Sequence, residues 1–264
     1  MKIGFIGLGN MAKAMIGGMI TGGLAAPLNI IGSAKTLETR QTVRDKYGIK
    51  VTEDNCAVAA EADLLILAVK PQTLAEVIGQ ISGHVKENAL IISIAAGKTL
   101  TWIEEAFGRT IKLVRCMPNT PAMVGAGCSG VCRNAQVTDE EMETCMKYIE
   151  SFGIAEEVPE RLMDAVGGVS GSSPAFVFLF LEALADGAVK AGMPRAQAYR
   201  FAAQTVMGSA KLMLETGKHP GELKDMVCSP GGTTIEGVQI LEEMGLRAGV
   251  MDAVEACVEK SKRM

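Results

Sequence analysis

Hydrophobic and polar positions in the first 160 residues follow the pattern of strands alternating with helices. Short apolar runs that end in Gly, Ala, Lys-Pro or Met-Pro are separated by longer amphipathic stretches. We predict strands at 2–6, 28–31, around Val51, 64–69, 89–94, 111–116, 127–132 and 155–158, and helices up to about 22 and at 37–47, 55–62 and 139–152. This alternation predicts an α/β domain with a doubly wound parallel sheet covered by helices.

The strand pattern ends near residue 160, and the rest of the chain has the periodicity of helices. We predict these at 173–191, 194–215, 221–226, 233–244 and 246–262. The first should open at Ser172-Ser173-Pro174, because proline is favoured in the first turn of a helix. The chain therefore divides into a domain at 1–160 and an all-helical domain at 161–264.

Composition excludes several classes of protein. The 264 residues are 48% hydrophobic and 21% charged, which excludes disorder. A net charge of −4 without a basic stripe argues against nucleic-acid binding. The apolar run 175–181 stops at Glu182, too short to span a bilayer, so no membrane is expected. With 16 methionines and many small residues, some apolar helix faces are expected to be subunit contacts.

The seven cysteines are an odd number with no Cys-x-x-Cys pair, and only two histidines accompany them. A zinc site or a disulfide framework is therefore not expected, and we assign no metal. The cysteines are interpreted as reduced, buried thiols of a cytoplasmic protein. No signal peptide is expected, because the first strand begins at Lys2.

The first strand leads into a glycine-rich turn with the spacing G-x-G-x-x-A at 7–12. In such a turn Gly7 permits the tight bend, Gly9 lets the backbone approach a pyrophosphate, and Ala12 lets the helix lie close to the strand. Glycine turns also occur for structural reasons alone. Its place between a strand and a helix favours dinucleotide binding.

The second strand indicates which dinucleotide binds. An NAD site usually has an acidic residue at the end of this strand, whereas Ser33 and Lys35 lie here, with Arg40 nearby. A hydroxyl and a cation suit the 2′-phosphate of NADP, so NADPH is expected, with NADH as an alternative. Against this, Glu38 is close, and both cations could simply be solvated.

Three further strands end in small residues, Lys-Pro or Pro-Asn, at 68–71, 95–97 and 117–121. Ligands of such sheets lie beyond the carboxyl ends of the strands, where small residues leave room for a nicotinamide ring. Lys70 could neutralise cofactor charge or be an ordinary loop lysine.

A second anion site is predicted at 229–234, Ser-Pro-Gly-Gly-Thr-Thr, directly before an apolar-periodic helix. Free backbone N–H groups at the helix start and two hydroxyls would form a cradle for a small anion. The alternative is an ordinary helix cap after a tight turn. That alternative does not account for the two adjacent glycines.

These motifs resemble the pyrroline-5-carboxylate reductase family. The similarity runs over essentially the whole chain: G-F-I-G-L-G-N-M-A at the start, A-V-K-P, A-A-G and M-P-N-T-P, then G-G-V-S-G-S-S-P-A-F at 167–176, L-A-D-G at 184–187 and L-K-D-M-V-C-S-P-G-G-T-T-I at 223–235. The last segment is the specific one. Cys228 stands where the family often has Ser or Thr.

The resemblance implies NAD(P)H-dependent reduction of Δ1-pyrroline-5-carboxylate to proline, the last step of proline biosynthesis. It also implies a Rossmann domain and a helical dimerisation domain, with homodimers that often assemble further. Carried over by position, the cofactor residues are Ile6, Gly7, Leu8, Gly9, Asn10, Met11, Ser33, Asn55, Ala68, Val69, Lys70, Pro71, Ile94, Ala95 and Ala96, to which Lys35 is added from the residues themselves. The substrate residues are Asn119, Ser229, Gly231, Gly232, Thr233 and Thr234.

The chemistry of this substrate agrees with the motif. N–H groups of Gly232, Thr233 and Thr234 could bind its single carboxylate, each charge-assisted bond contributing about 1.5–3 kcal/mol. Thr234 can hydrogen-bond the ring nitrogen, but a hydroxyl is too weak an acid to protonate it. We therefore expect Thr234 to act by orienting the imine, with the proton already on the substrate or delivered by water. Because 229–234 lies in the helical half, it must reach the cofactor edge of the sheet from another domain. If that domain belongs to another subunit, dimerisation is a condition of activity.

Two other functions remain open at this stage. A β-hydroxyacid dehydrogenase would place a catalytic lysine on the first long helix of the second domain, but 173–185 contains none and Lys190 lies at the far end. A cofactor-binding regulator would not need the second anion cradle. Turnover of NADPH with pyrroline-5-carboxylate or with a 3-oxo acid separates the three.

Overall fold

The computed structural model describes residues 1–263, and eight of its strands form one sheet in the order β3-β2-β1-β4-β5-β6-β7-β8. The strands are β1 (Ile3–Ile6), β2 (Ile30–Ser33), β3 (Lys50–Thr52), β4 (Leu64–Leu67), β5 (Leu90–Ser93), β6 (Lys112–Met117), β7 (Gly127–Arg133) and β8 (Gly153–Glu157). The order reverses between β1 and β4, which creates the crevice typical of nucleotide-binding sheets. The predicted α/β fold is confirmed.

Helices cover both faces of this sheet and make up the second half of the chain. They are α1 (Asn10–Thr21), α2 (Leu37–Tyr47), α3 (Asn55–Glu61), α4 (Pro71–Ile81), α5 (Leu100–Phe107), α6 (Asp139–Glu150), α7 (Met163–Val166), α8 (Ser173–Lys190), α9 (Arg195–Thr216), α10 (Pro220–Val227), α11 (Thr233–Glu243) and α12 (Leu246–Ser261). All helices predicted from the periodicity are present to within a few residues.

The sheet is mostly parallel, as predicted, and one pair of strands departs from this pattern. β1 to β6 are parallel, but β7 runs antiparallel to β6, with Cys116 opposite Val131. Only a short 3₁₀ turn, Thr120–Val124, and four flanking residues (118, 119, 125 and 126) join these strands. A parallel pair requires a crossover of a dozen or more residues, so this connection permits only the antiparallel arrangement.

The second strand begins two residues later than predicted. Pro27–Asn29 forms a 3₁₀ turn, and Leu28, which appeared to open the strand, is 84% exposed. The paired residues are Ile30–Ser33. A single apolar side chain before a strand therefore misplaced its start.

Apolar residues on each face of the sheet build a separate core. One face packs against α1, α2 and α6 through Met15, Ile16, Val43 and Ile149. The opposite face packs against α3, α4 and α5, with side chains such as Ile78. β4 is completely buried, as expected of a central parallel strand. This packing holds the carboxyl ends of the strands in fixed register.

The chain forms two compact units, with a division that differs from 160/161. The first unit comprises residues 1–172 and returns at 257–263, and the second comprises 173–256. Within the first unit, the Ser261 hydroxyl donates to Asp164 Oδ1 at 2.6 Å. The end of α12 thus packs with the sheet-containing unit.

The helical structure before α8 begins earlier than predicted. α7 is followed by a π-helical stretch, Gly167–Ser172, so Pro174 does not open a new helix after a loop. A Cβ on Gly171 would lie 2.8 Å from Met117 Cε, and one on Gly130 would lie 2.6 Å from Val166 Cγ1. These glycines let the segment lie close to β6 and β7.

The second unit has many exposed apolar side chains. Its buried apolar residues are Ala185, Ala198 and Ala202, whereas Phe178 and Leu179 on α8 are 62% and 65% exposed. By length and composition alone, the stretch Glu160–Lys190 could cross a membrane, with a mean hydropathy of 1.4. The uninterrupted apolar run 175–181 is only part of this stretch.

Candidate functional site

Backbone hydrogen bonds align the ends of the central strands. Gly7 N donates to Ser33 O at 3.0 Å, Ala68 N to Ile6 O at 2.8 Å, and Ile94 N to Leu67 O at 3.2 Å. The residues that follow β1, β2, β4 and β5 therefore lie side by side. These are the segments from which the predicted cofactor residues come.

The glycines of the first turn have the backbone geometry that the spacing predicts. Gly7 has φ of +94°, and a Cβ there would lie 2.5 Å from Ala68 O. A Cβ on Gly9 would have no heavy atom within 4 Å, so the space above this residue is open. Ala12 is buried against the sheet. The open space at Gly9 is where a pyrophosphate would approach the backbone.

The amino terminus of α1 is available to an anion. Gly9 is its N-cap, no side chain caps it, and its first turn contains no acidic residue. Asn10 is exposed and Met11 half-buried, whereas Ile6 and Leu8 are buried. Unpaired N–H groups and the helix dipole favour a phosphate here. These residues fit the phosphates of a dinucleotide, and the roles of Ile6 and Leu8 would be structural.

Ser33 has a different environment from the one its expected role suggests. Its side chain is fully buried, and its hydroxyl donates to Asn55 Oδ1 at 2.7 Å. Asn55 Nδ2 in turn donates to Gln80 Oε1 at 3.1 Å. Ser33 and Asn55, predicted separately, form one hydrogen-bonded group at the end of β2.

The two cations near Ser33 are not equivalent. Lys35 is exposed beyond the strand end. The Arg40 guanidinium donates to the carbonyl of Ala34 at 2.7 Å and that of Lys35 at 3.0 Å, and it pairs with Glu53 at 3.2 Å. Arg40 therefore holds the loop, and Lys35 is the cation that remains exposed to a phosphate.

The other predicted cofactor residues follow β4 and β5. Ala68 and Val69 are half-buried, Lys70 is the exposed N-cap of α4, and Pro71 is its first residue. Ile94, Ala95 and Ala96 continue β5 into the same edge. Exposed Lys70 is compatible with either interpretation given above.

Asn119 is buried, and its amide is engaged within the first unit. Its Oδ1 accepts from Cys128 N at 2.8 Å, and its Nδ2 donates to Ser170 O at 3.1 Å. It therefore joins the end of β6 to β7 and to the π-helical stretch. π-helical turns are frequent at functional sites. A substrate contact of Asn119 remains a prediction.

The segment 229–234 forms a tight turn before α11. Gly232 N donates to Ser229 O at 3.0 Å, Pro230 occupies the second position of the turn, and Gly231 has φ of +66°. These are the features of a type II turn. A Cβ on Gly232 would lie 2.4 Å from Ser229 Oγ.

The tight turn therefore does account for the two adjacent glycines, Gly231 and Gly232, which corrects the expectation that only an anion site explains them. The Gly232 N–H is also used inside the turn and is not the free donor that was expected. The remaining donors are at the start of α11, where Gly232 is the N-cap and no side chain caps the helix. Thr233 is exposed and Thr234 partly exposed, and Glu236 is the acidic residue of the first turn.

All seven cysteines are free, but not all are buried. Burial raises the pKa of Cys116 and of Cys145 to about 12, and that of Cys132 to about 11. Cys56, Cys128, Cys228 and Cys257 are partly exposed, which corrects the expectation that all are buried. Among residues 1–263, no group of three or more His, Cys, Asp or Glu could hold a metal ion.

Several residues that hold the predicted site residues in place could not be identified from the sequence. Gln80 and Ser170 hold Asn55 and Asn119. Buried Arg115 donates to Glu160 Oε1 at 3.2 Å, and that oxygen also accepts from Leu100 N at 2.7 Å. No local motif marks these residues, because their partners are distant in sequence.

Comparison with protein families matches both halves of the chain. Residues 160–264 match the model for pyrroline-5-carboxylate reductase dimerisation. Residues 2–97 match a model described as NADP oxidoreductase, coenzyme F420-dependent. The first match begins at the residue where the predicted first domain ends.

Individual proteins match over the full length. Pyrroline-5-carboxylate reductase of Escherichia coli is 51% identical, with 100% of this chain and 98% of that protein covered, and the Arabidopsis thaliana enzyme is 39% identical, with 100% and 95% covered. The structure of a Coxiella burnetii pyrroline-5-carboxylate reductase matches with a TM-score of 0.92 and 34% identity, covering 99% of this chain and 97% of that one. A Plasmodium falciparum pyrroline carboxylate reductase, solved with NADP bound, matches with a TM-score of 0.89 and 33% identity over 99% and 97%. The chain belongs to the pyrroline-5-carboxylate reductase family.

Proposed function

We propose that this protein reduces Δ1-pyrroline-5-carboxylate to L-proline with NADPH, with NADH as the alternative cofactor. Family membership over the whole chain is the observation that carries this activity. The assignment of a dinucleotide cofactor is supported by the start of α1, which has no side-chain cap and has open space at Gly9. When bound, the dihydronicotinamide supplies the hydride that adds to the carbon of the C=N bond.

The α11 amino terminus is proposed to bind the substrate carboxylate. Its first N–H groups have no side-chain cap, and the turn at Ser229–Gly232 fixes their direction. Thr233 and Thr234 would donate their backbone N–H groups, in place of the three donors first expected. The helix end adds about 0.3–1 kcal/mol to anion binding.

Thr234 is proposed to orient the imine nitrogen through its hydroxyl. No His, Asp, Glu or Lys occurs within 229–234, so this segment contains no strong general acid. The reactive substrate would then be the protonated iminium, whose nitrogen donates to the Thr234 oxygen. Catalysis would come chiefly from orientation and proximity.

Replacing Thr234 with valine tests this role. We expect kcat/KM for pyrroline-5-carboxylate to fall about ten- to a thousandfold, the range for the loss of one orienting contact, with the Kd for NADPH unchanged. Thr233→Val is the matched control: it removes the neighbouring hydroxyl of the cradle, and a smaller loss is expected because only the Thr234 hydroxyl is assigned to the imine nitrogen. Full activity of Thr234→Val would remove Thr234 from the mechanism.

The reaction itself is tested by following NADPH absorbance with pyrroline-5-carboxylate and with a 3-oxo acid. Turnover of the imine alone is expected. Turnover of the oxo acid alone would indicate a hydroxyacid dehydrogenase, and turnover of neither would indicate a binding protein. The absence of a lysine on α8 before Lys190 disfavours the first of these alternatives.

A homodimer formed through the second unit, in the cytoplasm, completes the proposal. The exposed apolar side chains of α8 and α9 support self-association, and their position within 160–264 agrees with the dimerisation model. Seven free cysteines are compatible with a reducing compartment. No nucleic-acid partner is proposed, since the net charge is −4.

A further inference from the structure

Arg40 fixes both peptide groups that flank Lys35 in the connection between β2 and α2. Its Nη1 donates to the carbonyl of Ala34 at 2.7 Å and to that of Lys35 at 3.0 Å. Its Nη2 pairs with Glu53 Oε2 at 3.2 Å, and the Arg40 side chain is 15% exposed. Because a guanidinium group holds its donors in one plane, this side chain fixes two successive carbonyls at once. We call residues 34–36 the β2–α2 loop.

The direction of these carbonyls determines the direction of the next two backbone N–H groups. In a trans peptide group the C=O and N–H bonds point in opposite directions, and no cis peptide bond occurs in residues 1–263. With both carbonyls turned towards Arg40, the N–H groups of Lys35 and Thr36 are turned away from it. Both residues are exposed, and within the described part of the chain neither N–H group has a hydrogen-bond acceptor. Successive N–H groups of this kind favour an anion.

The β2–α2 loop lies where the two candidate cofactors differ. It follows Ser33, whose carbonyl accepts from Gly7 N at 3.0 Å, so it begins beside the glycine-rich turn. In nucleotide-binding sheets the end of this strand faces the adenosine ribose, which carries a 2′-phosphate in NADPH and a 2′-hydroxyl in NADH. The Ser33 side chain is fully buried, so the donors that an exposed phosphate can reach are those of the loop.

Arg40 is engaged differently from the arginine that usually accompanies an NADP site. Such an arginine accommodates the 2′-phosphate directly. Here both hydrogens of Nη1 are directed at carbonyls, and Nη2 faces Glu53. The contribution of Arg40 to phosphate binding is therefore made through the loop that it holds.

We infer that Arg40 is a positioning residue that favours NADPH over NADH by holding the N–H groups of Lys35 and Thr36 towards the 2′-phosphate. Arg40 itself does not touch the cofactor. This role rests on the proposed binding of a nicotinamide dinucleotide and is independent of which imine is reduced.

Arg40→Lys is the variant that tests this role, because it keeps the positive charge. A single flexible ammonium group does not reproduce the planar set of donors that holds two carbonyls and Glu53 together. We expect the Kd for NADPH to rise about three- to tenfold, the range for one hydrogen bond, and the Kd for NADH to change by less than about twofold. Both constants are measured by titration of the intact protein without substrate.

Arg44→Lys is the matched control. Arg44 lies one helical turn further along α2, is exposed, and pairs with Asp45 at 3.5 Å without contacting the loop. Both dissociation constants should stay at the values of the unaltered protein. A crystal structure with NADP bound supplies the second readout: Arg40 should keep both carbonyl bonds, with the phosphate oxygens at the N–H groups of Lys35 and Thr36.

An unchanged NADPH Kd in Arg40→Lys would overturn this role. Equal weakening of NADPH and NADH would also overturn it, because Arg40 would then support only the fold. So would an NADP complex in which an Arg40 nitrogen lies on the phosphate. If both nucleotides bind as expected but no imine is reduced, the proposed function is contradicted and the role of Arg40 stands.

Discussion

Gly7 and Gly9 lie two residues apart, yet a methyl group should affect them in opposite ways. Gly9→Ala adds its methyl to open space at an ordinary φ of −72°. We expect the free energy of unfolding to change by less than about 1 kcal/mol. The Kd for NADPH should rise about tenfold or more, because the methyl occupies the approach to the pyrophosphate.

Gly7→Ala is the structural counterpart. The left-handed backbone alone costs about 1–2 kcal/mol, and the methyl would also meet Ala68 O at 2.5 Å. Urea unfolding of both variants, beside NADPH titration, checks the pair. Equal destabilisation of the two proteins would contradict the division of roles between these glycines.

At this scale the glycine motif was predictable, but the partners of Ser33 were not. The backbone geometry could be predicted from the G-x-G-x-x-A spacing, because each small residue in this motif meets one local steric requirement. The Ser33 hydroxyl was interpreted as a phosphate donor because its bond to Asn55 and the link to Gln80, 25 residues further along, leave no local pattern. For 229–234, a tight turn was weighed, but its requirement for both glycines becomes visible only in the structure.

At the scale of elements, the starts of β1 and β4 are joined by a carboxylate. Asp63 accepts from Lys2 N at 2.7 Å and from Lys86 Nζ at 2.7 Å. The Lys2 N–H and then the Lys86 ammonium lower the pKa of Asp63 below its usual 3.8. The stabilisation is therefore present above pH 3.8 and is lost as the pH falls through the lower pKa of the folded state.

Asp63→Asn should accordingly lose stability at pH 7 and show a smaller decrease below pH 4 than the unaltered protein. Urea unfolding measured from roughly pH 2.5 to pH 7 gives both values. Asp45→Asn, at an exposed position of α2, serves as the control. Parallel pH curves for the Asp63 variant and the unaltered protein would exclude this role.

Element type was predictable from periodicity, whereas direction and continuity were not. An apolar run such as 127–132 looks the same whichever way the strand points, and the short link after Asn119 decided the antiparallel pairing. The π-helical stretch 167–172 is rich in Gly and Ser, which usually mark a loop. Its close approach to Met117 explains the glycines only once the fold is known.

At the scale of the whole molecule, the exposed apolar helices predict self-association. Phe178→Asp would place a charge in an apolar face of α8, and we expect it to shift the protein towards monomer. Sedimentation analysis across a range of protein concentrations measures this shift. Glu182→Gln, on the same helix, should leave the association constant unchanged, and a Phe178→Asp protein with unaltered mass would place the interface elsewhere.

The return of the last residues to the first unit also determines when that unit can be completed during synthesis. Asp164 receives its hydrogen bond from Ser261, 97 residues further along the chain. Translation proceeds from the amino terminus, so the sheet can form early, while this closing contact must wait until Ser261 has been made. Throughout the synthesis of 173–256, Asp164 in α7 lacks its hydrogen bond from Ser261. The second unit is thus an insertion within the first, and the end of α12 joins the first unit only after the whole of 173–256 has been synthesised.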